Sequence, residues 1–259
     1  MRAWLAGIVA VIALLSAGLG AGATAAAAPP STQAHAAWAR VLERFVNDRG
    51  EVDFQALSLD RADLDLYLRF VAEAPLDAPP DANERLAHMI NAYNALSMFN
   101  VIDRGIPKSH AGVNKVINFY VRRLDIGGRK MSLYTFENEV IRPLARRHGE
   151  PRVHFALNCS AVSCPVLPRV PFTGAGLNSE LEREARAFFA APGNFRVDAA
   201  TGTVWLSELL KFYPEDFVPA HGRNLIEFAN HYAPQPAPLD DEIRFTPYDW
   251  TIANSRRAR

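Results

Sequence analysis

The sequence predicts an α+β fold, a single compact domain of helices packed on short antiparallel strands and hairpins. Three observations carry this. Stretches with apolar residues at three- and four-residue spacing alternate with short extended runs set around Gly127-Gly128 and Ala199-Ala200-Thr201-Gly202. The alternation lacks the regular β-α-β rhythm of a doubly wound sheet. No interior linker is long enough to force two domains on a chain of 259 residues.

The elements follow in order. Residues 1–28 carry one charge, Arg2, then an apolar stretch, then small residues ending in an Ala run before Pro29-Pro30. This is the pattern of a secretory signal peptide, with cleavage sites near Ala26 to Ala28. The apolar stretch, at ~20 residues, just reaches the length of an uncleaved anchor, but its Gly-and-Ala ending favours cleavage. The expectation is a periplasmic or secreted protein of bacterial style, residues 29–259 forming the mature domain, with no membrane span after cleavage.

An amphipathic helix is predicted over 35–48, on Trp38, Val41, Leu42 and Phe45, with Gly50 suited to its C-cap. A short extended piece spans 51–54, and a second helix runs over 59–74. After a Pro-rich loop, Asp81 and Glu84 form a capping box for a third helix reaching about Asp103. Its apolar residues point in nearly every direction, so it is expected to be buried. His88, Asn91 and Asn94 share one side of it, and buried amides need hydrogen-bond partners. A hairpin is expected over 118–133 around Gly127-Gly128. Ser132 caps a helix over 133–148, which Pro143 kinks or ends near Arg142. Residues 152–158 read as a short strand and 159–176 as a loop. Ser179 and Glu182 open another helix, ending near Pro192-Gly193. A second hairpin over 194–206, a short helix from Ser207 to Tyr213-Pro214, a helix over 222–232, a strand over 242–246 and a loose tail complete the chain.

Composition narrows function. Hydrophobic residues make up 49% and charged residues 22%, with 28 Lys+Arg against 28 Asp+Glu. That is a globular composition, and a balanced charge argues against a nucleic-acid partner. Two cysteines exclude a disulfide-rich scaffold and a four-cysteine zinc site. No phosphate-binding glycine motif and no Gly-x-Ser-x-Gly elbow occurs, so no cofactor is implied. A metal site of His88, His154 and Cys159 is a weak alternative, since the seven histidines lack ligand spacing.

The segment HFALNCSAVSCP, residues 154–165, is where chemistry concentrates. A thiolate needs a neighbouring histidine, positive charge or helix N-terminus to form near neutral pH. Three readings compete. Cys159 is a nucleophile activated by His154 or, from the buried helix, by His88. Or Cys159 and Cys164 form a disulfide, since four intervening residues allow Cα atoms about 4.4–6.8 Å apart. Or both are inert buried thiols. Glu137 reads as an exposed helical carboxylate, and Asp216, between Tyr213 and Phe217, as part of an aromatic anchor.

INAYNALS at 90–97, GGRKMSLYTFENEVIR at 127–142 and HFALNCSAVSCPVL at 154–167 resemble the DUF547 family. LSELLKFYPEDF at 206–217 and YDWTIAN at 248–254 are similar to its downstream segments. The centre of the resemblance lies at about 80–190. It implies no established activity. Matching positions include Asn91, Asn94, His154, Cys159 and Ser163. Where the family commonly has Ile-Glu-His, this chain has Phe136-Glu137-Asn138, and an amide cannot serve as a base. Plant-like relatives, which carry a coiled-coil region this chain lacks, often have Ser at the second cysteine. This implies that a disulfide is not family-wide and gives Cys159 more weight.

The leading expectation is therefore a thiol-dependent hydrolase or acyl transferase of the cell envelope, acting on a small-molecule or peptide substrate. Cys159 would be the nucleophile and His154 the base or orienter, with Asn94 and Asn91 positioning it or donating to an oxyanion. The alternatives are a non-catalytic binding or scaffold domain stapled by Cys159–Cys164, and a thiol–disulfide redox protein.

Overall fold

A computed structural model describes residues 31–256, apart from the side chains of residues 219–221. The signal-peptide expectation and the end of the tail lie outside the described residues. The fold is a mixed α+β domain of helices with two small sheets. Among the described residues no helix is long and apolar enough to cross a membrane.

Helix α1 (Ser31–Phe45) packs Trp38 flat on Tyr67 of α3 (Ala62–Glu73), with ring centroids 5.3 Å apart. Between them lies α2 (Phe54–Leu59), capped by Asp53. Gly50 has φ +72°, and a Cβ there would meet the Leu167 backbone nitrogen at 2.6 Å. Only glycine lets the loop after Cys159 lie this close to the end of α1.

Helix α4 (Ala82–Asp103) is the centre of the molecule. Asp81 caps it through the N–H groups of Asn83 and Glu84, and it is buried on nearly every side. The apolar residues all round its circumference dictate this, because no face could be left in water. Its polar residues recur every third position, and each is tied to a segment outside the helix. Asn91 holds the backbone of Phe172, Asn94 that of Ala156 and Asn158, and Ser97 the hydroxyl of Ser160. Asn100 donates to the carbonyl of Asn118. Three-residue steps drift slowly around a helix, so the series passes from one side of α4 to the other and pins the segments packed around it.

Two expectations fail after α4. The first arm expected for the hairpin begins as helix, α5 (Val113–Lys115) opening into a π-helical turn over Val116–Val121. Only β1 (Leu124–Ile126) and β2 (Arg129–Met131) pair, antiparallel, across Gly127-Gly128. Val, Ile, Phe and Tyr in VINFYV suggested a strand, but a wide helical turn buries Asn118 and Phe119 together. Past the Ser132 cap, α6 (Leu133–Thr135) runs into a second π turn, Phe136–Ile141, and then α7 (Arg142–Arg147). Pro143 sits in the first turn of α7, where its missing N–H costs least, so the expected break is a change of helix type at Arg142. The strand expected at 152–158 is instead a 3-10 helix, Pro151–Phe155, capped by Glu150. Pro151 suits the first position of such a turn.

Helix α8 (Leu177–Ala190) starts after Gly176, and Thr173 and Glu180 clasp each other there. The expected Ser179 cap instead donates to the Gly176 carbonyl from inside the first turn. Strands β3 (Phe195–Asp198) and β4 (Thr203–Ser207) form the expected hairpin. Helices α9 (Leu209–Phe212), α10 (Pro214–His221) and α11 (Leu225–Asn230) follow. They carry the chain across to β5 (Glu242–Thr246), which joins β4 in parallel rather than antiparallel.

Apolar residues segregate into two clusters. The first lies between α1–α4, β1, α6 and the loop bearing both cysteines. The second is aromatic, built from Phe155, α8, the three-stranded sheet and α9–α11. Val153 and Ala156 belong to the first cluster and Phe155 to the second, so the 3-10 turn is the seam. Tyr248 packs against both. Beyond it the chain threads between loops, with Ile252, Thr251 and Asn254 forming bridges to Ala161, Ser109 and Val52.

Candidate functional site

The seam opens into a cavity of about 430 Å³ lined by His154, both cysteines, Glu137, Arg142, Lys115 and a wall of aromatic rings. Each π turn supplies two lining residues, Phe119 and Tyr120 from one and Glu137 and Asn138 from the other. π turns interrupt regular helices and recur at functional sites.

His154 is buried, and its Nε2 lies 2.8 Å from Asp216 Oδ2. Its ring stacks on Tyr213 with centroids 4.6 Å apart, and lies 5.0 Å from that of Phe217. Asp216, with a side chain only 4% exposed, also receives Arg142 Nε at 2.7 Å and an ion pair from Arg146. Burial by itself would raise the Asp216 pKa. The hydrogen bonds from His154, Arg142 and Arg146 outweigh it and hold the carboxyl well below the usual range. Asp216 therefore stays ionised and fixes the imidazole by one nitrogen. The His154 Nδ1 has no hydrogen bond among the described residues.

Cys159 and Cys164 are joined in a disulfide, with Cα atoms 6.0 Å apart. The Tyr248 hydroxyl donates to Cys164 Sγ at 3.1 Å and lies 3.4 Å from Cys159 Sγ. The Cys159 N–H donates to Cys164 Sγ at 3.0 Å. Behind them, burial lowers the His110 pKa to about 4, leaving the ring neutral at pH 7. Its Nε2–H then donates to the Cys159 carbonyl at 2.9 Å, while Nδ1 accepts from Asn118 at 3.0 Å. The next residue, Ser160, has φ +65°. A serine seldom adopts this conformation, and it persists only where the surroundings over-determine it. Here Asn158 accepts from its N–H, Ser97 meets its hydroxyl and Ala253 donates to its carbonyl.

Glu137 accepts from the Tyr93 hydroxyl at 2.8 Å, and its charge acts on the Tyr213 phenol. Burial first, and the Glu137 charge second, push the Tyr93 and Tyr213 phenols far above their ordinary value. Tyr248 is raised in the same way. All three remain protonated donors.

The sequence candidates thus separate. His154 and Cys159 line one cavity. His88 does not join them. It lies edge-on to Phe70 in a separate cavity that Asn91 also lines, so it cannot activate Cys159. Asn91 accepts from Trp38 Nε1 and clasps the Phe172 backbone. Asn94 clasps Ala156 and Asn158. Both amides hold the loop framework rather than the cavity wall. Replacing Asn94 by Ala leaves a buried carbonyl and a buried N–H unpaired, with an expected loss of about 2–4 kcal/mol in urea unfolding. A loss below about 1 kcal/mol would mean the clamp carries little of the loop's stability.

The sequence reading missed Glu137 and Asp216. Both side chains turn inward, Asp216 as an ionic partner rather than an aromatic anchor. Their signal was neighbourhood: in YPEDF, Pro214 starts a helix whose first turn carries two acids, a poor place to bury a carboxylate unless cations meet it. No group of three or more His, Cys, Asp or Glu among the described residues is arranged to hold a metal ion.

Neither a curated protein nor a solved structure matches the chain. Residues 79–189 match the model of a family described as "Protein of unknown function, DUF547". That span contains α4, both π turns, His154 and both cysteines, while Asp216 and Tyr248 lie beyond it. With α4 and its dependent loops at its centre, the protein carries a DUF547 domain.

Proposed function

We propose that the protein is a thiol-dependent hydrolase or acyl transferase whose nucleophile, Cys159, is held in reserve as a disulfide with Cys164. The observation that carries this is His154, held by the buried Asp216 and lining the same cavity as Cys159. A carboxylate that orients an imidazole beside a thiol is the arrangement that activates a cysteine.

An external dithiol is oxidised to its own disulfide and reduces Cys159–Cys164 to two thiols. Cys159 passes its proton to His154, and the thiolate attacks a carbonyl carbon. The tetrahedral adduct expels an amine or alcohol, which takes the proton from His154 and leaves a thioester. Water or a second amine then attacks the thioester and restores the thiol. Asp216 stabilises the imidazolium and fixes its orientation. Asn94 is a positioning residue, because it clasps the backbone between His154 and Cys159.

We assign the protein to the periplasm or the exterior on two grounds, the signal-like pattern of residues 1–28 and the paired cysteines. The disulfide itself favours a second reading, a binding domain whose cavity wall it staples.

Thiol labelling separates the two. A chromogenic disulfide reagent should find no thiol before reduction and two after it. With the reduced protein, iodoacetamide should modify Cys159 first, and His154→Ala should slow that reaction at least ten-fold at pH 7. Equal reactivity of Cys159 and Cys164, with no effect of His154→Ala, would leave the staple as the answer.

A further inference from the structure

Glu137 faces the cavity with its charge unmatched. No Lys, Arg or His nitrogen among the described residues lies within 4.0 Å of its carboxylate. The nearby cations are committed elsewhere. Arg142 pairs with Glu215 and Asp216. Lys115 holds its Nζ 4.0 Å above the Trp250 ring, and its charge acts on Glu208. A carboxylate offers about four acceptor positions, and the Tyr93 hydroxyl fills one of them. An anion half withdrawn from water without a counter-charge is costly; burial first, and the Glu137 charge second, raise the Tyr93 and Tyr248 phenols around it. Aromatic faces around a carboxylate attract a cation twice over, by charge and by ring quadrupole.

We propose that the cavity binds a primary alkylammonium group, its N–H donors on Glu137 and its methylenes against the rings of Tyr93, Tyr213 and Tyr248. A lysine side chain or a free amine has this chemistry. Resting on the acyl-transfer reading, it makes the amine either the charged part of the donor or the group that accepts the acyl chain from Cys159. A neutral ligand would leave Glu137 unmatched, and an anionic one would be repelled by it.

Binding needs no thiol, so the test uses the unreduced full chain. Titration calorimetry compares 1-butylammonium with 1-butanol and with butyrate. The ammonium should bind at least ten-fold more tightly than either. Glu137→Gln should weaken the ammonium at least ten-fold and leave butanol unchanged, with its far-ultraviolet spectrum as wild type. Equal binding of ammonium and alcohol by the wild-type protein would overturn the proposal, as would a preference for butyrate, which would move recognition to Lys115. Neither result touches the thiol-labelling test, so failure of one leaves the other standing.

Discussion

Asp216→Ala should lower stability at pH 7 by about 3–5 kcal/mol, the usual cost of removing one partner from a buried ionic cluster. Arg142, with a side chain 9% exposed, loses the acceptor of its Nε, and the buried His154 loses the carboxylate that holds its Nε2. In a domain of this size the loss corresponds to a melting temperature lower by roughly 10 °C. The pH dependence fixes the sign. The carboxyl titrates lower in the folded protein than in the unfolded chain. Its contribution is therefore complete above the unfolded value of about 4 and disappears as pH falls through the folded value. The gap between wild type and Asp216→Ala should stay constant from pH 7 to about 5, narrow below about 4, and close in stronger acid. A gap that widened in acid would show that Asp216 is not held ionised by its partners. Asp216→Asn keeps a hydrogen bond but not the charge, so it should lose less stability. It should still slow alkylation of the reduced Cys159, because an amide cannot stabilise the imidazolium.

The second large effect is expected one residue from the imidazole. Phe155 is fully buried, with the Phe188, Phe189 and Phe217 ring centroids at 4.7, 5.3 and 5.8 Å. Phe155→Ala should cost about 3–5 kcal/mol, through lost burial and a cavity that packed aromatics cannot close. Phe155→Leu should recover much of that. The effect reaches the site, because Phe155 belongs to the aromatic cluster while Val153 and Ala156 belong to the other. Guanidinium unfolding measures the stability, and iodoacetamide alkylation of the reduced protein measures how well His154 is still placed. A variant that lost less than about 1 kcal/mol would show that the seam is not where the two clusters are joined.

How far the sequence could be read depended on how local the cause was. The Asp81 cap, the Ser132 cap and both hairpin turns act within a few residues and were legible, though Glu84 does not close the expected box back onto Asp81. The burial of α4 was legible because a helix apolar on every side has no other stable place. The π turns were not, since VINFYV satisfies strand preference as well as helix and only long-range packing chooses. The 3-10 turn at Pro151 was hidden by the apolar alternation in RVHFALN. At the site, the cysteine spacing admitted the pairing that is found. Glu137 and Asp216 were misread because an acid's surroundings decide whether it faces water. Those surroundings come from Tyr93, 44 residues earlier, and from His154, 62 residues earlier.

The cavity wall also has an order in time. Tyr248 and Trp250 follow every other lining residue along the chain, and Tyr248 touches sulfur atoms 84 and 89 residues before it. The segment that carries them is stitched to residues near 52, 109 and 161 by isolated bridges rather than by a sheet. Closing loops of that span is entropically slow and gains nothing until the distant partners meet. During synthesis, then, the helices around α4 and the cysteine loop emerge while their covering wall is still missing. The pocket comes into being only when the last strap docks, so a partly emerged chain has both cysteines but no finished chamber around them.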